Sequence, residues 1–319
     1  MVQIKKIKQW VILGTGGTIA GTAASASDHT GYTAAQLGVA QLMAALPGVD
    51  QVMGGDTLQV EQVAQLDSKD MDHATWQALA QRCQHWLAQP EVGGIVITHG
   101  TDTLEETAWF LQKVLHSHKP MVLTCAMRPA TALAPDGPQN LLDALAVVRD
   151  PAAQGVLAVC AGRIHSARDV QKVHPYRLDA FSSGEASPLG WVEQGQVRWS
   201  LQCSMSQPHP NAQQALAQAA ADWPWVEVLH SHAGADGRQV RALVAVGVKG
   251  LVVAGTGNGT LHQNLLTELA EAQAQGVVVR LVTRCAEGQI VGQPAALKTA
   301  PLGLNAYKAR VSLMLDLMT

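Results

Sequence analysis

The chain has 319 residues, 47% of them hydrophobic and 15% charged, a composition of globular proteins with a large core and not of disordered chains. That length holds two domains of ordinary size or one large one. A formal net charge of −3 gives no electrostatic reason to expect nucleic acid or an anionic membrane as a partner, and no apolar stretch approaches the length of a membrane span.

In chain order, strand-like apolar runs alternate with helix-like periodic ones. Residues 10–13 read as a short strand. Residues 33–46 have helical spacing through Leu37, Ala40 and Ala44, and stop at Pro47-Gly48. Residues 57–63 read as a strand, and 72–89 as a helix with Trp76, Leu79, Cys83, Trp86 and Leu87 on one face. Then come strand 94–98, helix 104–115, strand 121–125, helix 141–148 and strand 156–160. Residues 196–222 lose the rhythm and read as a linker with a short helix at 212–220. It resumes with strand 226–229, helix 237–246, strand 251–254, helix 261–275, strand 277–283 and a last helix from about Ala306. This alternation predicts an α/β protein: a larger N-terminal domain (1–195) with a parallel sheet and helices on both faces, the linker, and a smaller C-terminal α/β domain (223–319).

Cys83, Cys125, Cys160, Cys203 and Cys285 are odd in number and never spaced C-x-x-C, so neither a disulfide framework nor a zinc site is expected. Buried reduced thiols suit a cytoplasmic setting. Lys5, Lys6 and Lys8 precede the apolar run 10–13 as in a signal peptide, but the run is too short for an h-region and flows into a glycine-rich turn.

In open parallel sheets, ligands bind beyond the carboxyl ends of the strands, where three polar segments fall. The first is Gly14-Thr15-Gly16-Gly17-Thr18-Ile19-Ala20-Gly21. A dinucleotide-binding turn needs glycine where Ile19 stands, and a P-loop needs a lysine after the glycines, so both readings fail. Alone it reads equally as a strand-to-helix turn without chemistry and as a loop whose glycines bring the backbone close to a ligand. The second, Thr98-His99-Gly100-Thr101-Asp102-Thr103-Leu104-Glu105-Glu106-Thr107, opens a helix. Thr101 or Thr103 can cap that helix and Glu105 and Glu106 suit its positive end; equally, Asp102 between two hydroxyls can hold an ammonium group, and hydroxyls with helix amides can hold a carboxylate or oxyanion. The third is Arg168-Asp169-Val170-Gln171-Lys172. A lysine that takes a proton from a hydroxyl needs partial burial or a like charge nearby; taken alone, Lys172 reads as an exposed surface lysine. No G-x-S-x-G is present, and no acidic or cysteine ligands complete the pairs His116/His118 and His230/His232, so neither a serine-hydrolase elbow nor a metal site is expected.

Thr15-Gly16-Gly17-Thr18-Ile19-Ala20-Gly21 and the run from Ile97 through Thr101-Asp102-Thr103 to Ala108 resemble the two signature motifs of the bacterial-type L-asparaginase family. Ala126-Met127-Arg128-Pro129, Asp136-Gly137-Pro138-x-Asn140, Gly255-x-Gly257-Asn258-Gly259 and Lys308-Ala309-Arg310-Val311 extend the similarity over almost the whole chain. The resemblance implies hydrolysis of L-asparagine to L-aspartate and ammonia by a threonine nucleophile through a β-aspartyl ester, with L-glutamine as the alternative substrate. It implies no metal or organic cofactor, and a homotetramer of close dimers. Residue by residue it makes Thr18 the nucleophile, within a motif whose Gly17 lies against the substrate, and Tyr32 the lid tyrosine that assists it. Ser68 would hold the substrate's α-carboxylate. Thr101, Asp102 and Lys172 would form a hydrogen-bonded triad, with Asp102 also on the α-ammonium. Asn258 would reach the site from the partner subunit. Many members also supply a partner-subunit acid, but stretch 285–298 holds only Glu287, out of register, and no such role is carried over. The light segment 21–32 would be the closing lid. A non-catalytic amino-acid-binding protein on the same scaffold is the other class of reading.

Overall fold

A computed structural model describes residues 7–203, 207–292, 297–301 and 303–318. Lys5 and Lys6, part of the expected linker (204–206) and part of stretch 285–298 (293–296) lie outside the described residues. The chain divides into two compact units, Met1–Pro208 and His209–Thr319.

The first unit contains β1 (Gln9–Gly16), α1 (Val39–Ala44), α2 (Val49–Met53), β2 (Thr57–Leu66), α3 (His73–Leu87), β3 (Val92–Thr98), α4 (Leu104–Val114), β4 (Met121–Thr124), α5 (Gly137–Arg149), β5 (Val156–Cys160), β6 (Arg163–Ser166), β7 (Gln171–Lys172), β8 (Phe181–Ser182), β9 (Gly190–Glu193) and β10 (Gln196–Trp199). Its main sheet has eight strands in the order β10-β9-β6-β5-β4-β3-β1-β2. The half from β2 to β5 is parallel; β6, β9 and β10 join antiparallel. Near-continuous apolar strands are what a sheet covered on both faces requires: β1 is buried from Trp10 to Gly16. Trp10, Ile12, Val96 and Val122 pack with α1 and α5 residues in one core. Alternation along the strand turns Val11 and Leu13 to the opposite face, where α3 and α4 lie against the sheet and each other.

Three expectations need correction. Helix 33–46 shrinks to α1, because residues 22–37 first run out and back as a loop closed by an antiparallel bridge between Thr22 and Thr33. Residues 196–199, assigned to the linker, form edge strand β10, registered on β9 and carrying an Arg198–Glu193 pair. The stretch after β5, to which the sequence assigns no element, contains β6 to β9.

The second unit contains α6 (Ala212–Ala217), β11 (Val226–His230), α7 (Arg238–Ala245), β12 (Gly250–Gly255), α8 (Gln263–Ala274), β13 (Val278–Thr283) and α9 (Ala306–Asp316). Its sheet is parallel, ordered β11-β12-β13. Val240, Leu251, Val253, Leu265, Leu269 and Val279 centre a separate core. Among the described residues no helix is long and apolar enough to cross a membrane.

Candidate active site

The first and second glycine-threonine motifs stand at the carboxyl ends of neighbouring parallel strands, β1 and β3. Two glycines let them close on each other. Gly16 (φ +102°) and Gly17 (φ +81°) adopt backbone angles that side chains rarely tolerate. A Cβ on Gly17 would sit 2.3 Å from the Cα of Gly100, and one on Gly100 would sit 2.3 Å from Ser68 Oγ. Three segments far apart in sequence thus meet: the backbones at 17 and 100 pack on each other, and the Ser68 side chain lies against Gly100.

Thr18 follows this turn and begins a short 3-10 segment, Thr18–Ala20. It is 6% exposed, and its Oγ1 lies 2.7 Å from the hydroxyl of Tyr32. Tyr32 comes from the loop between β1 and α1. Asp28 shapes that loop: its Oδ1 accepts the N–H groups of Thr30 (2.9 Å) and Gly31 (2.7 Å), an Asx turn, and these bonds hold its carboxyl below the usual carboxylate range. The loop is tied down further along. Ala23 N donates to Thr131 Oγ1 at 2.8 Å, and Leu133 N donates to the carbonyl of Ala26 at 3.0 Å.

Thr101 and Asp102 precede α4. Lys172, in the two-residue strand β7, donates from Nζ to Thr101 Oγ1 at 2.8 Å and to Asp102 Oδ1 at 2.5 Å. Its side chain is 17% exposed, against the surface position expected from the sequence taken alone. Thr101 Oγ1 in turn approaches Asp102 Oδ1 at 3.4 Å. Ser68 is 2% exposed and accepts the Asp102 N–H at 3.1 Å, which keeps its own O–H free to donate. Thr103 does not cap α4 with its side chain; its hydroxyl donates instead to the carbonyl of Ser68 at 2.8 Å. Thr18, Tyr32, Ser68, Thr101, Asp102 and Lys172 thus all belong to the first unit. Asn258 belongs to the second, where its amide exchanges hydrogen bonds with the backbone of Val291, at 2.9 Å as donor and 2.8 Å as acceptor.

Sequence reasoning assigned no role to His99, Trp76 or Thr107. His99 has no exposed surface and bridges Gly100 O (2.7 Å, through Nδ1) and Thr107 Oγ1 (3.0 Å, through Nε2). Trp76 Nε1 donates to the same Thr107 hydroxyl at 2.8 Å. A histidine at a strand end followed by glycine was visible in the sequence, but its partner sits about one helical turn into α4, and tryptophan comes from a different helix. Among the described residues no cluster of three or more His, Cys, Asp or Glu is placed to hold a metal ion.

The Thr18–Tyr32 contact and the Thr101–Lys172–Asp102 set, both in the first unit of a two-unit α/β fold, are groups of the kind that amide hydrolysis by a hydroxyl nucleophile requires. Residues 9–205 match the family described as "Asparaginase, N-terminal", and residues 225–319 match "Glutaminase/Asparaginase C-terminal domain". The chain belongs to the asparaginase family. It is 37% identical over 276 residues to the glutaminase-asparaginase of Pseudomonas fluorescens, covering 86% of this chain and 75% of that one. It is 35% identical over 314 residues to L-asparaginase 2 of Escherichia coli, covering 96% and 88%. A crystal structure of a probable cytoplasmic L-asparaginase from Campylobacter jejuni superposes with a TM-score of 0.90 at 36% identity, covering 97% of this chain and 95% of that one.

Proposed function

We propose that this protein hydrolyses the side-chain amide of L-asparagine to L-aspartate and ammonia, with Thr18 as nucleophile. The 2.7 Å contact between Thr18 Oγ1 and the Tyr32 hydroxyl carries the reading. A hydroxyl at its ordinary pKa is a poor nucleophile and needs a proton acceptor within hydrogen-bond reach; Tyr32 is in reach. Thr18 Oγ attacks the amide carbon, its proton passes through Tyr32 to the leaving nitrogen, and the C–N bond breaks to release ammonia and leave a β-aspartyl ester. In the second half, water attacks the ester carbonyl and gives a proton to the Thr101 hydroxyl as Thr101 passes its own proton to Lys172, in its amine form, 2.8 Å away. The ester breaks and Thr18 regains its proton. Gly17 leaves its backbone open to the substrate, Ser68 donates to the α-carboxylate, and Asp102, half exposed, meets the α-ammonium. The loop that carries Tyr32 serves as the lid. Asn258 completes the site from a partner subunit in a homotetramer of close dimers, an assembly that sedimentation would test. The free cysteines Cys83, Cys125, Cys160, Cys203 and Cys285 support a cytoplasmic setting.

Glutamine is the second reading, favoured by the name of the Pseudomonas relative. The two substrates differ by one methylene, which a pocket distinguishes by only about 1–3 kcal/mol unless polar groups are stranded. Ammonia release from both amino acids, measured side by side, gives the ratio of kcat/KM that decides between them. Thr18→Ala is expected to lower turnover by about 10³-fold or more with an unchanged circular dichroism spectrum. A folded variant that kept a tenth of wild-type turnover would rule Thr18 out as nucleophile. Binding of asparagine by the wild-type protein without any ammonia release would instead support a binding protein.

A further inference from the structure

We propose that Glu105 is a positioning residue for Lys172, an inference that rests on the catalytic reading above. Lys172 belongs to a ladder of only two residue pairs, β7 with β8, which is separate from the eight-stranded sheet. Its side chain is long and flexible, and it must deliver Nζ to Thr101 and Asp102 at hydrogen-bond distance. So short a ladder is a weak anchor for a group whose misplacement by 1 Å costs about 10²-fold in rate. The backbone N–H of Lys172 donates across to α4, to Glu105 Oε2 at 3.0 Å, a bond that spans 67 residues of sequence. Glu105 is 6% exposed and stands in the first turn of α4, so its carboxylate is held by packing and favoured by the helix dipole. Residues 101–105 therefore grip Lys172 at both ends: Thr101 and Asp102 hold Nζ, and Glu105 holds the main chain. The two grips sit on consecutive parts of one rigid element, the entry to α4, so the lysine is located relative to the hydroxyl it serves and not merely attached to it.

The role needs an oxygen acceptor at the right reach, not a negative charge. Two variants separate these properties. Glu105→Gln keeps the reach and an amide oxygen, and loses the charge; Glu105→Asp keeps the charge and withdraws the oxygen by one methylene. Both are to be compared with wild type and with Lys172→Met for ammonia release from asparagine, with thermal melts alongside. Glu105→Gln is expected to retain at least about a third of wild-type kcat. Glu105→Asp is expected to lose about 10- to 100-fold in kcat with KM changed less than about threefold, and to add no further loss when combined with Lys172→Met. If Glu105→Asp were as active as wild type, or lost activity multiplicatively in the Lys172→Met background, the positioning role would be wrong while the catalytic reading stood. If Glu105→Gln lost as much as Glu105→Asp, charge and not reach would be what matters, and the proposal would also fall. Full activity in Lys172→Met alone would overturn both this role and the catalytic reading of Lys172.

Discussion

His99 has no exposed surface and immediately precedes Gly100, whose backbone packs against Gly17. Its Nδ1 meets a carbonyl, Gly100 O, and must carry the ring proton; Nε2 then accepts from the Thr107 hydroxyl, whose oxygen receives the Trp76 N–H. Every donor in the chain has an acceptor, with the imidazole neutral. Protonation would put a second N–H against a hydroxyl already oriented to donate. Complete burial pushes the pKa of His99 down to about 4 from an ordinary value of 6.5. Between those two pH values the unfolded chain binds more protons at this position than the native one. The stability that neutral His99 contributes is therefore full above about pH 6.5, is lost as the pH falls towards 4, and stops declining below that. The span corresponds to roughly 3 kcal/mol. Thermal melts from pH 7 to pH 4 check this: the wild-type midpoint is expected to fall steeply over that window and His99→Asn to fall less steeply. Equal slopes would mean that another group governs the acid limb.

At the scale of elements, the loop between β1 and α1 behaves differently from what its spacing suggests. Leu37, Ala40 and Ala44 have helical period, yet the helix begins only at Val39, after Gly38. Upstream, the chain is committed to the Asx turn at Asp28, the Thr22–Thr33 bridge and the delivery of Tyr32 to Thr18. These are bonds of a loop, and they outcompete a marginal helix that would gain few apolar contacts. The loop is also tied to segment 130–133 through Thr131 and Leu133. A lid that opens must break some of these bonds, and the Thr131 hydroxyl is the one that a substitution removes cleanly. Thr131→Val is expected to favour the open loop and raise KM for asparagine about two- to fivefold, as loss of one hydrogen bond would. Steady-state kinetics with circular dichroism as control check it; an unchanged KM and kcat would mean that this tether does not hold the lid. Element α4 has the opposite character. Its first turn receives Glu105, and the residues just before it hold Lys172, so one helix entry organises a strand that lies far along the chain.

For the whole molecule, each unit carries its own core. In the second, Leu269 of α8 has no exposed surface and packs with Leu251, Val253 and Val279 of the parallel sheet. Leu269→Ala is expected to cost about 2–5 kcal/mol, the transfer term plus the cavity it leaves. Because β1 and β3 draw on a different core, hydrogen exchange should accelerate in β11, β12 and β13 before it does in β1 and β3. Equal acceleration in both units would show that the two melt as one. The mixed character of the large sheet also belongs to this scale. Five parallel strands lie together and three antiparallel ones extend the sheet from β5 outward. The site lies at the carboxyl ends of the parallel part, where N–H groups and glycine turns converge.

The sequence by itself determined the parallel half of the sheet, the second unit's alternation and the two glycine-threonine motifs, because these are local signals: continuous apolar strands, helical period and glycines at forced turns. The antiparallel strands β6 to β10 escaped it. They are two to four residues long, and β10 alternates Gln196 and Arg198 outward with half-buried Val197 and Trp199, so periodicity had too few residues to register. Lys172 was legible only by resemblance, since nothing near it in sequence distinguishes it from a surface lysine. Only the tertiary structure decided its burial, its grip on Thr101 and Asp102, the Glu105 bond to its backbone and the enclosure of His99. The physical reason is common to all four: each depends on groups from segments distant in sequence meeting in space, and hydrogen bonding and burial of that kind have no local trace.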